Sequence, residues 1–119
     1  MQLTLGPLLY YWPRARLDAF HDAMAAAPVD RVYLGEAVCS RRHEYRTGDW
    51  LDAAARLADA GKEVVLSSQV LMESESDLRA LRRFVANGRF MLEANDMGAV
   101  HMVAGHAPFV AGPHLNIYN

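Results

Sequence analysis

Five strand-like runs separated by helix-like segments constrain this chain more than any other feature. The runs begin near residues 3, 30, 63, 90 and 108. LTLGPLLYYW (3–12) reads as a strand ending at Pro13. ARLDAFHDAMAAA (15–27) sets Leu17, Phe20, His21 and Met24 at helical spacing, and Pro28 stops it. VDRVYLGEA (29–37) reads as a second strand. DWLDAAARLADA (49–60) reads as a helix with Thr47 or Asp49 as its cap and Gly61 at its end. KEVVLSSQ (62–69) is a strand with a fully buried composition. SESDLRALRRFVAN (74–87) reads as a helix, with Ser74 and Asp77 suited to its first turn and Gly88 to the position beyond it. RFMLEAN (89–95) is a strand, DMGAVHMVAG (96–105) a short helix and APFVAGP (107–113) a fifth strand, which HLNIYN (114–119) continues past.

Repeated βα units imply a parallel sheet. No GxGxxG follows the first strand and no GxxxxGK[ST] occurs, so neither a dinucleotide fold nor a P-loop is supported. The parallel architecture that remains is a (β/α) barrel, which needs about 250 residues when complete. A chain of 119 residues holds roughly half of that. The expected fold is therefore α/β, about half a barrel, with consecutive parallel strands and outer helices forming one domain over 1–119. Asn119 suits an N-cap for a following helix. The expectation is a fragment, a split product, or a half-barrel that closes with another chain.

The formal net charge of −2 supplies no electrostatic argument for nucleic acid. Among the twelve basic residues only Lys62 is a lysine, a bias that fits genome composition better than phosphate recognition. MQLTLGPLLYYWPR lacks a basic leader, and Pro7 and Pro13 bracket its apolar run, so it reads as neither signal peptide nor membrane span. With one cysteine and no export signal, the expected location is the reducing cytoplasm.

In barrels, functional side chains gather at the C-terminal ends of the strands. Those positions here hold Tyr10, Tyr11 and Trp12, then Glu36 and Cys39, then Ser67, Ser68 and Gln69, then Glu93, Asn95 and Asp96, then Asn116 and Tyr118. Polar loop residues are common at strand ends in any fold; their recurrence after all five runs favours the set. Glu36, Glu93 and Asn95 are the catalytic candidates. Glu36 and Glu93 fit a paired-carboxylate acid/base role, or equally ion pairs with arginines of neighbouring strand ends. His101, His106 and His114 lack the i, i+4 spacing of a helical zinc pair, His21 lies on an apolar helix face, and all four read as surface or core histidines rather than ligands. Arg41, Arg42 and His43 fit an anion site or a solvated loop. Cys39 is the only cysteine. It lies beside Glu36 and Arg41–Arg42, where neighbouring arginines favour a thiolate. Spacing alone leaves three readings for it: nucleophile, metal ligand, or inert small hydrophobe.

The segments LGPLLYYWPR, VDRVYLGEAVCSRRHE, GKEVVLSSQ, GRFMLEANDMGAV and PFVAGPHLNIYN, in that order, resemble the ubiquinone-biosynthesis branch of the collagenase-like peptidase family (family U thirty-two). The resemblance runs along essentially the whole chain and corresponds to the N-terminal half of such proteins. It implies a barrel-type fold and a 4Fe–4S cluster bound by four cysteines. It also implies a heterodimer with a related UbiU-like protein, and dioxygen-independent hydroxylation of a ubiquinone-ring precursor in anaerobic metabolism. The family's first cluster cysteine lies in the segment that here reads Leu34-Gly35-Glu36-Ala37-Val38-Cys39-Ser40. Cys39 carries over as one cluster ligand, both its metal and its cofactor contact. The other three belong to a region this sequence does not contain, so the isolated chain is expected to be inactive. Two other readings compete. A peptidase or hydrolase is one, although no histidine is placed by motif to activate Cys39 and no GxSxG elbow occurs. The other is a non-catalytic module that docks its partner through exposed sheet edges.

Overall fold

The computed structural model describes residues 1–38 and 44–115. Its elements run β1 (Thr4–Leu5), α1 (Arg14–Ala26), β2 (Arg31–Leu34), α2 (Thr47–Asp59), β3 (Glu63–Ser67), α3 (Glu75–Val85), β4 (Met91–Ala94), α4 (Met97–Val103) and β5 (Phe109–Ala111), followed by a 3-10 turn at Pro113–Leu115. The five strands form one sheet in the order β1-β2-β3-β4-β5, every neighbouring pair parallel. Consecutive parallel order with intervening helices is the layout of half a (β/α) barrel, as the periodicity predicts.

Local chemistry sets the boundaries. The first strand is far shorter than 3–12, because Gly6 and Pro7 follow Leu5 and a proline has no N–H for the ladder. Helix α2 starts earlier than its expected caps. Arg46 takes the capping position in extended conformation, and Asp49 Oδ2 accepts its backbone N–H at 2.9 Å, so Thr47 is already helical. Its other end closes as expected, with Lys62 N–H bonded to Leu57 O and Gly61 N–H to Ala58 O, both at 3.0 Å. Ser74 caps α3: its Oγ accepts Asp77 N–H at 3.2 Å while Asp77 Oδ2 accepts Ser74 N–H at 3.1 Å. Asp96 caps α4 by accepting Ala99 N–H at 2.8 Å.

Alternation along the strands divides the sheet into two faces. Val32, Leu34, Val64, Leu66, Leu92 and Ala94 point into one core with Leu17, Trp50, Leu57, Leu81 and Phe84 of the helices. Successive helices contact one another, α1 with α2, α2 with α3, α3 with α4, so they form a single layer on that face. The opposite face carries Arg31 and Glu63, ion-paired at 2.9 Å, then Tyr33, Val65 and Met91, then Ser67 and Glu93 at the C-terminal end.

Parallel sheets are stable when both faces are covered, yet among the described residues helices cover only one, and β1 and β5 are the sheet edges. The isolated chain is therefore expected to self-associate. Light scattering across a concentration series should show dimers or larger species. A single monomeric species at high concentration, melting cooperatively, would contradict this.

Candidate functional site

The C-terminal end of β3 and β4 holds a buried polar cluster. Register sets Ser67 opposite Glu93, and Ser67 Oγ donates to Glu93 Oε2 at 2.5 Å. Asn95 Nδ2 donates to the same oxygen at 3.3 Å and to Ser68 O at 2.9 Å. Asn95 N–H donates to Ser68 Oγ at 2.9 Å, and Ser68 N–H to Glu93 O at 3.0 Å. All four residues are buried. A buried carboxylate is tolerable only when hydrogen-bonded, and a hydroxyl and an amide meet that need here. Asn95 Oδ1 faces Gly112, where a Cβ would lie 1.9 Å from it, so only glycine leaves the amide its place. Gly112 N–H in turn donates to Ala94 O at 2.8 Å, holding the strand-five end against this cluster.

Beside the cluster, between α2 and α3, lies a cavity of about 460 Å³. Ser67, Ser68, Gln69 and Glu36 line its sheet end, Trp50, Leu81 and Phe84 its walls, and Arg46 and Asp77 its helix termini. Burial acts to raise the Asp77 pKa, but hydrogen bonds from the Glu73 and Ser74 N–H groups, the Ser74 hydroxyl and the Gln69 amide outweigh it and leave the carboxyl below its ordinary value. Gln69 Oε1 is buried without a hydrogen-bond partner.

An aromatic cluster ties α1 to the start of α2. The rings of Tyr45 and Trp50 meet edge to face at 4.8 Å, and His21 lies 5.7 Å from Tyr45 and 5.9 Å from Trp50. Tyr45 donates its hydroxyl to Asp18 and is pushed up to about 12 by burial and that carboxylate. Arg14 grips Asp49 through two bonds of 3.0 Å, which, with the Arg46 N–H, hold that carboxyl down at about 2.

Burial, with a smaller contribution from the Arg56 cation, holds the His21 imidazole below its ordinary value, against the opposing pull of Asp18 and Asp22. The folded state therefore keeps His21 neutral at a pH where the unfolded chain has taken up a proton. Stability from this group is fully present above the unfolded value of about 6.5 and is lost as pH falls toward the folded value, with a slope of at most about 1.4 kcal/mol per pH unit. Chemical denaturation between pH 7 and 5 should show falling stability in the parent and a flatter profile in His21→Gln. An unchanged slope in the variant would remove His21 as the cause.

Of the residues singled out from sequence, Glu93 and Asn95 share one cluster with Ser67 and Ser68, while Glu36 lines the adjoining cavity. The partners of Glu93 are a serine and an asparagine rather than the arginines that the alternative reading allowed. His21 is a core residue, and His101, His106 and His114 are exposed. Cys39, Ser40, Arg41, Arg42, His43, Asn116 and Tyr118 lie outside the described residues. Among the described residues, no group of three or more His, Cys, Asp or Glu side chains is arranged to hold a metal ion. Tyr45, Asp77, Leu81 and Phe84 are site residues that the strand-end argument missed, because Tyr45 lies in the segment just before α2 and the other three come from α3. The amphipathic spacing of α3 signals that Leu81 and Phe84 are buried, but not that a cavity lies against them.

Among the described residues, no helix is long and apolar enough to cross a membrane. No family model matches the chain, and no solved structure matches it.

Proposed function

We propose that this chain is the N-terminal half of a UbiV-like component of dioxygen-independent ubiquinone-ring hydroxylation, acting with a UbiU-like partner. The observation that carries the reading is the LGEAVCS segment in its setting. It leaves the C-terminal end of β2, the end of a consecutive parallel sheet at which Ser67, Glu93 and Asn95 cluster. Such ends carry the functional residues of (β/α) barrels.

In this reading Cys39 supplies one thiolate to a 4Fe–4S cluster, which contributes electron-transfer chemistry when bound. A cluster takes about four thiolates, and this sequence contains one cysteine. The donor set therefore fits a single ligand rather than a complete site, and the remaining thiolates come from outside these 119 residues. What the chain itself offers is a carboxylate oriented by Ser67 and Asn95, beside a cavity large enough for a ring.

Anaerobic reconstitution with iron and sulfide tests the assignment. The 119-residue chain alone is expected to retain no stable 4Fe–4S species by iron and sulfide analysis and visible absorbance. In a longer form carrying the further cysteines, Cys39→Ala is expected to lose most of the cluster. A stoichiometric cluster on the short chain, or full retention in the longer variant, would overturn it.

A further inference from the structure

We propose that Asn87–Gly88 is a modification site, where the asparagine deamidates once the connection between α3 and β4 opens, and that the product cannot rebuild that connection. This stands on the turn alone and does not rest on the cluster reading. Asn87 is the only asparagine in the chain that a glycine follows. Glycine has no Cβ to shield its backbone nitrogen or to restrict its approach. Hydroxide removes the Gly88 amide proton, and the nitrogen then attacks Asn87 Cγ. The N–Cγ bond forms and the Cγ–Nδ2 bond breaks. The amide nitrogen leaves as ammonia with a proton from water, which regenerates hydroxide. Water then opens the cyclic imide at either carbonyl, giving aspartate or isoaspartate. The net exchange is water in and ammonia out, with no change of oxidation state.

The folded turn closes this path. Asn87 Nδ2 donates to Phe84 O at 2.5 Å and to Phe90 O at 3.0 Å. Asn87 Oδ1 accepts the N–H of Arg89 at 2.7 Å and of Phe90 at 2.5 Å. Both amide hydrogens and both lone pairs are thereby used. The side chain satisfies a carbonyl of the last turn of α3 and fixes the chain where it enters β4. Ring closure makes Cγ tetrahedral and expels Nδ2, so the bonds to Phe84 O and Phe90 O must break first. Gly88 itself is exposed and sits at φ 71, so water and base reach it once the turn opens. The product loses what held the turn. An ionised aspartate has no donor, and its oxygen would stand against the carbonyls of Phe84 and Phe90. Isoaspartate also lengthens the main chain by one carbon just ahead of β4. Phe84 walls the cavity and β4 carries Glu93, so both sides of the candidate site are tied to this turn.

Peptide mapping by mass spectrometry tests this on the 119-residue chain, aged in mildly alkaline buffer with and without denaturing guanidinium chloride. In denaturant, Asn87 is expected to convert ahead of Asn95, Asn116 and Asn119, as two chromatographically separate products. Without denaturant its conversion is expected to be slower by about tenfold or more, the factor set by how rarely the turn opens. Gly88→Ala, compared in denaturant where folding plays no part, should slow the conversion. Asn87→Asp, which reproduces one product, is expected to lower the melting temperature by about 4–8 °C. Equal rates with and without denaturant would overturn the gating by the fold. Earlier conversion of another asparagine in denaturant, or an unchanged rate in Gly88→Ala, would overturn the site. A melting temperature in Asn87→Asp equal to that of the parent would overturn the loss of the turn. Failure of that variant to fold by circular dichroism would support the loss, and the rate comparison on the unaltered chain still decides the gating.

Discussion

Replacing Gly35 by alanine is expected to destabilise the chain by about 3 kcal/mol or more. Gly35 leaves β2 with φ 150, a backbone conformation that side-chain-bearing residues rarely adopt. A Cβ there would lie 2.2 Å from the carbonyl oxygen of Ser67, far inside contact distance. That oxygen belongs to the end of β3, so it cannot swing aside as the tip of a long side chain can. Relief requires β2 and β3 to separate where their ladder ends, and that movement would also disturb the Ser67–Glu93 bond. At roughly 4 °C per kcal/mol for a domain of this size, the melting temperature should fall by about 12 °C or more. Thermal unfolding followed by circular dichroism reads it. A shift of only a few degrees would show that the strand ends relax freely and that the close approach is not a constraint.

Leu66→Ala is expected to cost about 2–5 kcal/mol, or roughly 8–20 °C in melting temperature. Leu66 is 0% exposed and sits in the central strand, with Leu34 and Leu92 opposite it on either side and the helical layer above. Truncation leaves a cavity that the sheet cannot close, because both neighbouring strands are pinned by their own ladders. Met91→Ala provides the contrast. Met91 is 40% exposed on the uncovered face, so its truncation should change stability by under about 1 kcal/mol. Comparable losses in both variants would mean that the uncovered face is packed in solution, consistent with self-association through that face. Repeating the Met91→Ala measurement at low concentration separates the two cases.

The alternation of elements was legible from the chain because each one carries its own punctuation. Pro28 stops α1, Gly61 and Lys62 close α2 through bonds to Ala58 and Leu57, and Ser74 with Asp77 opens α3. These are interactions among residues a few positions apart, so sequence suffices to read them. The same holds for the parallel order, since connections long enough to contain a helix bring each strand back in the same direction. The burial of His21 was legible too, from its place on the apolar stripe of α1.

Other features depended on partners distant in sequence. Asn95 pairs with Ser68 across 27 positions, and Ser67 with Glu93 across 26. Nothing local in either strand states that a serine rather than an arginine will meet the carboxylate. That follows from register, which a whole sheet decides. The cavity is a further step removed, because it is space left between α2 and α3 rather than a property of any residue. The same stripe that marks Leu81 and Phe84 as buried is compatible with full packing or with a void, and only the spacing of two helices on a twisted sheet distinguishes them. The requirement for glycine at residue 35 belongs with these. Its sequence neighbours allow a side chain, and it is the carbonyl of Ser67 on the adjacent strand that does not.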